Sequence, residues 1–229
     1  MSAIAIVGKS GTGKSTSISN IPELNIKGLE PAKTVMVNVA GKDLPMRGWK
    51  KLYTGSIRDN GNYLETSQAD AIAAAIKHVN DNRPDIENIV IDDGQFIMAF
   101  EFMQRAKEKG YDKFADLGVN LAKVIRAAKD ASRVKVYFLW HPEEDRETGF
   151  KMKTVGKMVD DYLTLEGLFT VVLYTRIIKE EGSMKYTFVT NNDGKHPAKS
   201  PIGMFKELYI PNDLGYVADQ INAYNNGEQ

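Results

Sequence analysis

The sequence predicts an α/β fold: a mainly parallel central sheet flanked by helices, with a β-hairpin in the C-terminal part. Three observations carry this. Short runs rich in valine and isoleucine alternate with longer segments of helical periodicity, the pattern of strand–helix units. Ala3–Val7 and Ile89–Asp92 are apolar nearly throughout, as strands covered on both faces are. Phe169–Ile178 and Lys185–Thr190 are β-rich runs that can pair through Glu180-Glu181-Gly182-Ser183.

In chain order, the strand Ala3–Val7 ends at Gly8, and a helix is expected to begin near Lys14. Thr34–Val39 is the second strand. Thr66–Val79 is a helix: Ala69, Ile72, Ala73, Ile76 and Val79 recur at helical spacing. Ser67 and Asp70 make a capping-box pattern at its start, and Arg83-Pro84 ends it. Ile89–Asp92 is the third strand. Phe96–Lys109 and Ala115–Ala131 are two further helices, Val134–Trp140 is the fourth strand, and Leu214–Tyr224 is a terminal helix. The loops at Gly41–Asn62, Pro142–Gly149 and Asn191–Pro201 collect glycine, proline and charge. No break in composition marks a boundary, so the 229 residues read as one domain, 1–229.

Composition narrows the function classes. With 30 basic and 30 acidic residues the formal charge is zero, which argues against a strongly basic nucleic-acid coat but not against a local patch. No apolar run approaches the ~20 residues that cross a bilayer, and the N-terminal run lacks the basic flank of a signal peptide. The absence of cysteine removes disulfides, thiolate metal sites and cysteine nucleophiles, and fits a reducing, cytoplasmic setting.

Gly8-Lys9-Ser10-Gly11-Thr12-Gly13-Lys14-Ser15 matches the phosphate-loop pattern G-x-x-x-x-G-K-[ST] in full. Glycines let backbone N–H groups turn inward around phosphate oxygens, and a following helix would point its positive end at the anion. Gly8, Ser10, Gly11, Thr12, Gly13, Lys14, Ser15 and Thr16 are thus the expected nucleotide cradle. Lys14 would reach the β- and γ-phosphates and Ser15 would ligate Mg²⁺. The motif follows a buried strand, which is the context that gives it meaning.

A phosphate loop of this kind needs a carboxylate for Mg²⁺ at the end of an apolar strand. Ile89-Val90-Ile91-Asp92-Asp93 supplies Asp92. Asp93 would polarise the attacking water as a general base, or cap the helix that follows Gly94. The strand Thr34–Val39 lies between the phosphate loop and Asp92, which fits the phosphate-loop proteins with an extra strand inserted between the two. The next strand ends at His141, either a sensor of the γ-phosphate or a capped strand end. Lys199, or Arg176 after the fifth strand, would neutralise transition-state charge across a subunit interface. Two stretches mix cations with aromatics as single-stranded nucleic-acid sites do: Lys42–Tyr53, with Trp49, and Arg146–Lys157, with Phe150. The absence of an N-K-x-D guanine motif favours ATP over GTP.

These residues resemble a family of phage-encoded P-loop ATPases with a RecA-like core, AAA-family proteins that include small single-strand annealing and recombination proteins. The resemblance rests on GKSGTGKS at Gly8–Ser15, IVIDD at Ile89–Asp93, MKTVGKMVDDYLTLEGLFTVVLYTRI at Met152–Ile177 and VTNNDGKHPAKSPIGMF at Val189–Phe205, and spans nearly the whole chain. It implies ATP and Mg²⁺ as cofactors, ATP hydrolysis, and a homo-oligomer in ring or filament form. It also implies single-stranded DNA as partner and the host-cell cytoplasm as location. Lys14, Ser15 and Asp92 carry over by position, and Lys199 matches a basic residue given to a neighbour's nucleotide. The second strand ends in Asn38-Val39-Ala40 rather than in an acid. If the catalytic glutamate of RecA-like enzymes belongs there it is missing, so turnover is expected to be weak. Two alternatives stay open: a nucleotide-gated adaptor or loader, and a small-molecule P-loop kinase.

Overall fold

In the computed structural model, residues 2–110, 112–145, 149–156, 159–160, 163–180 and 182–228 are described. Eight strands form one sheet: β1 (Ala3–Val7), β2 (Thr34–Asn38), β3 (Tyr63–Glu65), β4 (Asn88–Asp92), β5 (Lys135–Trp140), β8 (Val171–Glu180), β9 (Ser183–Val189) and β10 (Tyr209–Pro211). Their order across the sheet is β10-β9-β8-β1-β5-β4-β2-β3. From β8 to β3 all neighbours are parallel, while β9 and β10 run antiparallel at the other edge. The expected hairpin is β8–β9, paired from Tyr174↔Val189 to Glu180↔Ser183. Glu181 lies outside the described residues. Two further strands, β6 (Pro142–Asp145) and β7 (Gly149–Met152), form a separate hairpin directly after β5.

Strand residues alternate between two cores, as a period of two requires. Ala3, Ala5 and Val7 face one side, with Val35, Val37 and Ile91; Ile4 and Ile6 face the other, with Met36, Val90 and Tyr137. The first side is covered by α2 (Ala69–Asn82) and α4 (Asp112–Asp130) through Ile72, Ile76, Leu117, Leu121 and Val124, with α3 (Phe96–Gln104) beside α4. The second is covered by α5 (Leu214–Asn226) through Leu214, Val217 and Ile221. Cover on both faces explains why β1 and β4 carry apolar residues at almost every position. A short helix, α1 (Trp49–Leu52), packs Trp49 on Tyr63, ring centroids 5.6 Å apart.

Four expectations are corrected. No α-helix starts at Lys14: the phosphate loop leads into a single 3₁₀ turn, Thr16–Ile18. Ser15-Thr16-Ser17 and β-branched Ile18 are weak helix formers, Ser17 Oγ donates to the Lys14 carbonyl at 2.5 Å, and Pro22 keeps Ile21 out of helix. The capping box does not form: α2 begins at Ala69 after Gln68, and Asp70 pairs with Lys123 of α4 instead. The helix expected to reach Lys109 stops at Gln104, where Arg105 turns to bind Glu101, Glu108 and Asp116. Finally, the inserted strand expected between the phosphate loop and Asp92 is present, but it is not β2. β2 pairs with the far edge of β4, and the strand inserted between β1 and β4 is β5.

Asp213 fastens the second face. Its carboxylate caps α5 by accepting from Gly215 and Tyr216 N–H at 2.8 and 3.3 Å. It also accepts from Lys27 and Gly28 N–H at 2.8 and 2.9 Å, which pins residues 21–28 to the start of α5. Asp213→Ala removes a helix cap and orphans two further N–H groups. Urea unfolding should show a loss of about 2–4 kcal/mol, with Asp213→Asn losing less. An unchanged midpoint in the alanine variant would contradict this anchoring role.

Candidate functional site

The C-terminal ends of β1, β2, β4 and β5 meet at one edge of the sheet, where parallel α/β sheets place ligands. Gly8 N–H donates to Trp140 O at 3.0 Å, and Gly94 N–H donates to Leu139 O at 2.9 Å. The end of β5 therefore holds the phosphate loop on one side and the Asp92-Asp93 turn on the other. The loop turns through left-handed backbone at Gly11 (φ 76°) and Gly13 (φ 95°), conformations that favour glycine. At Gly13 space also excludes a side chain: a Cβ there would lie 2.8 Å from the Asn212 amide oxygen.

Lys14 is buried, and its ammonium donates to the carbonyls of Gly8 at 2.6 Å and Lys9 at 3.1 Å. Two of its three N–H groups hold the loop closed, which leaves one for the cleft. Burial pulls its pKa down to about 8 against the opposing pull of Asp93 and Asp92. Ser15 Oγ donates to Asp92 Oδ1 at 3.0 Å. Asp92 is fully buried, and its Oδ2 has no partner. Burial and the neighbouring Asp93 push its carboxyl above the usual range, against Lys42, Ser15 and Lys14. A buried carboxylate oxygen with no donor, beside a hydroxyl, fits a hard divalent cation such as Mg²⁺. Among the described residues no three His, Cys, Asp or Glu side chains cluster as metal ligands. Water and ligand oxygens would therefore complete the shell, as Mg²⁺ at phosphates requires.

Asp93 does not cap α3, whose N-cap is Gln95. Its backbone is left-handed, φ 59°, rare for a residue with a side chain. That conformation turns the carboxylate, 2% exposed as a residue, towards Lys42 and His141. Lys42 Nζ pairs with Oδ2, and His141 Nε2 lies 3.2 Å from Oδ1. Burial alone would raise the Asp93 carboxyl; the bonds from His141 and Lys42 outweigh it and hold it at about 2. Both oxygens are engaged, so water activation by Asp93 requires one partner to let go. His141 is seated by its N–H, which donates to Gln95 Oε1 at 3.2 Å.

Lys42 is the group the sequence reading placed elsewhere, in a nucleic-acid-like stretch. Asn38 explains its position. Asn38 stands in register with Asp92, where an acid was sought. Its amide binds Lys42 O at 2.7 Å and Tyr63 OH at 3.0 Å, and its oxygen accepts from Gly41 N–H at 3.1 Å. Residues 38–42 are thereby folded so that Lys42 reaches Asp93. Nothing in the local sequence marks that role.

A cleft of about 430 Å³ is lined by Ser10, Gly11, Gly13, Lys14, Ser15 and Thr16, and by Lys42, Asp93 and His141. The size suits a small-molecule site. Thr12 instead braces the loop, donating to Lys9 O and meeting Thr175 Oγ1, each at 2.6 Å. A second cavity of about 580 Å³ shares Ser10, Lys42, Asp93 and His141 with the first and continues to Phe96, Phe100 and Lys153.

Lys199 does not line the cleft of its own chain. Its backbone pairs with Val172, N–H to O at 2.9 and 2.8 Å, beside the first half of β8. Arg176 is already engaged by Asp193 at 2.7 Å and Tyr209 OH at 2.6 Å. His196 and Lys195 also bind Asp193; their hydrogen bonds overcome the effect of burial and hold that carboxyl at about 2. Of the aromatic and basic stretches, Trp49 packs on Tyr63, Lys50 pairs with Asp43, and Phe150 stacks on His196, centroids 5.2 Å apart. Arg146 and Lys157 lie outside the described residues.

A family model described as an AAA domain matches residues 2–202. No curated protein matches the chain. Among solved structures, a KaiC-like protein from the hyperthermophilic archaeon Pyrococcus horikoshii OT3 is similar over 82% of this chain and 78% of that one, at 12% identity and a TM-score of 0.48.

The buried Lys14 carries a pH signature. Its folded pKa, about 8, lies below the ordinary lysine value of 10.5, so between these values the unfolded chain binds more protons and stability rises with pH. Lys14→Met lacks this gain. In urea titrations of both proteins from pH 7.5 to 10.5, wild type should gain on the variant by up to about 3 kcal/mol. A constant difference would show that Lys14 is not desolvated.

Proposed function

The chain belongs to the AAA-domain family, and from that premise we propose that it is an ATP- and Mg²⁺-dependent ATPase that acts on single-stranded DNA. One observation carries the nucleotide reading: Ser15 Oγ and the half-satisfied Asp92 carboxylate meet beside Lys14 at the mouth of the phosphate loop. Lys14 and loop N–H groups after Gly8 would hold the phosphates. Ser15 and Asp92 would hold Mg²⁺, which supplies charge neutralisation to the leaving phosphate. Asp93, with His141, would orient water, and Lys199 would come from a neighbouring subunit of a ring or filament.

Single-stranded DNA enters as partner because of where the β6–β7 hairpin leaves the sheet. It starts one residue after His141, and Lys153 N–H returns to His141 O at 3.0 Å. Trp140 Nε1 donates to Lys153 O at 2.7 Å. Lys9 of the phosphate loop reaches the hairpin at Glu144 and lies 4.9 Å from the Phe150 ring centre. A strand held on this hairpin would bear on both the loop and the Asp93 network. Asn38 in place of an acid favours slow turnover, so a nucleotide-gated adaptor is the second reading.

Purified protein should hydrolyse ATP slowly and several-fold faster with single-stranded DNA, while Lys14→Ala should neither bind nor hydrolyse ATP yet keep its fold. Turnover that ignores DNA would move the assignment to the adaptor or to a kinase. Unchanged ATP affinity in Lys14→Ala would remove the site. Mixing Lys14→Ala with Lys199→Ala should restore a fraction of the turnover that each lacks alone. No recovery would rule out Lys199 as a residue given in trans.

A further inference from the structure

The cleft has another end that the phosphate chemistry does not use. Besides the loop, it is lined by Leu24, Ile26, Tyr186 and Asn212. The strand order separates the two ends. Asp93 and His141 follow β4 and β5 on one side of β1, whereas Tyr186 lies on β9, beyond β8 on the other. From β4 to β9 is four strand spacings, about 19 Å, with the phosphate loop between.

The walls of this end are built and held. Leu24 belongs to the 3₁₀ turn Pro22–Leu24, closed by the Ile21–Ile26 bridge. Asp213 pins that segment at Lys27 and Gly28. The residue before it, Asn212, donates its backbone N–H to Tyr186 O at 3.4 Å. Leu24 and Tyr186 are nonetheless 64% and 44% exposed, large side chains that the described chain covers only in part. Between them and the loop, the Asn212 amide lies against Gly13. Asn212 is 3% exposed, and its Nδ2 has no partner. A buried donor without an acceptor costs free energy unless something supplies one.

We propose that the slot between Leu24 and Tyr186 takes the nucleobase of the bound nucleotide, and that Asn212 Nδ2 donates to an oxygen at its sugar–phosphate junction. This rests on the nucleotide reading above. The base is held by its faces: stacking on Tyr186 and apolar contact with Leu24 and Ile26. Contact of this kind reads no base edge, so ATP and GTP bind within a few-fold of each other.

The test is equilibrium binding of ATP, GTP and inorganic tripolyphosphate, each with Mg²⁺, to the full chain. Wild type should bind ATP at least tenfold more tightly than tripolyphosphate. Tyr186→Ala and, independently, Leu24→Asp should each lose about tenfold in ATP affinity and keep tripolyphosphate affinity. Tyr186→Phe should bind as wild type. Asn212→Leu should lose about fivefold for ATP. If wild type binds ATP no better than tripolyphosphate, or if both slot variants retain ATP affinity, the slot is not the base site. A large ATP preference over GTP would overturn recognition by the base faces, and full affinity in Asn212→Leu would overturn the role of Asn212. Lys14→Ala separates this from the parent reading: it should lose both ATP and tripolyphosphate, and if it loses neither, the phosphate site itself fails.

Discussion

Insertion of β5 between β1 and β4 is the constraint on which the site depends. Each strand spacing is about 4.8 Å, so one inserted strand sets the phosphate loop and the carboxylates two spacings apart. The gap is filled by backbone, not by flexible side chains. Trp140 O receives Gly8 N–H, and Leu139 O receives Gly94 N–H. β5 is apolar and buried from Val136 to Trp140, so a shift in its register would disturb both cores at once. The rigidity of the cleft is inherited from the sheet.

Upon that frame sits an unbalanced set of charges. Lys14, Asp92 and Asp93 are buried, and Lys42 reaches in from a more exposed loop. Asp93 is satisfied by Lys42 and His141, while Asp92 retains an orphan oxygen and Lys14 pays for burial with a lowered pKa. Such a set is stable only because the fold around it is; an anion at Lys14 and a cation at Asp92 together would relieve it, which is what a magnesium–polyphosphate offers. The single 3₁₀ turn after Ser15 gives this loop little helix dipole, so the charge of a bound anion would fall mainly to Lys14 and the loop N–H groups.

Asn38 shows how one substitution of chemistry reshapes a site. Where an acid would face the reacting end, its amide instead ties residues 38–42 and Tyr63 together. The same folding delivers Lys42 to Asp93. A cation beside Asp93 is thus supplied from within the chain, while Arg176 is held by Asp193 and Tyr209.

The sequence by itself determined six strands of the sheet, the phosphate loop and the pair Asp92-Asp93. These are local: apolar runs covered on both faces, glycines where backbone must turn left-handed, and acids at a strand end are all written within a few residues. Tertiary structure decided what depends on distant partners. It placed β5 rather than β2 between the loop and Asp92, because strand order is set by how helices cover the faces. It chose the Lys42–His141 network over a helix cap for Asp93, because both partners arrive from other strands. It also stopped the helix expected after the phosphate loop, a competition between weak propensity and serine hydrogen bonding that a glycine–lysine motif does not reveal. The short strands β3, β6, β7 and β10 were invisible for the same reason: three or four residues carry too little pattern, and they exist through their neighbours.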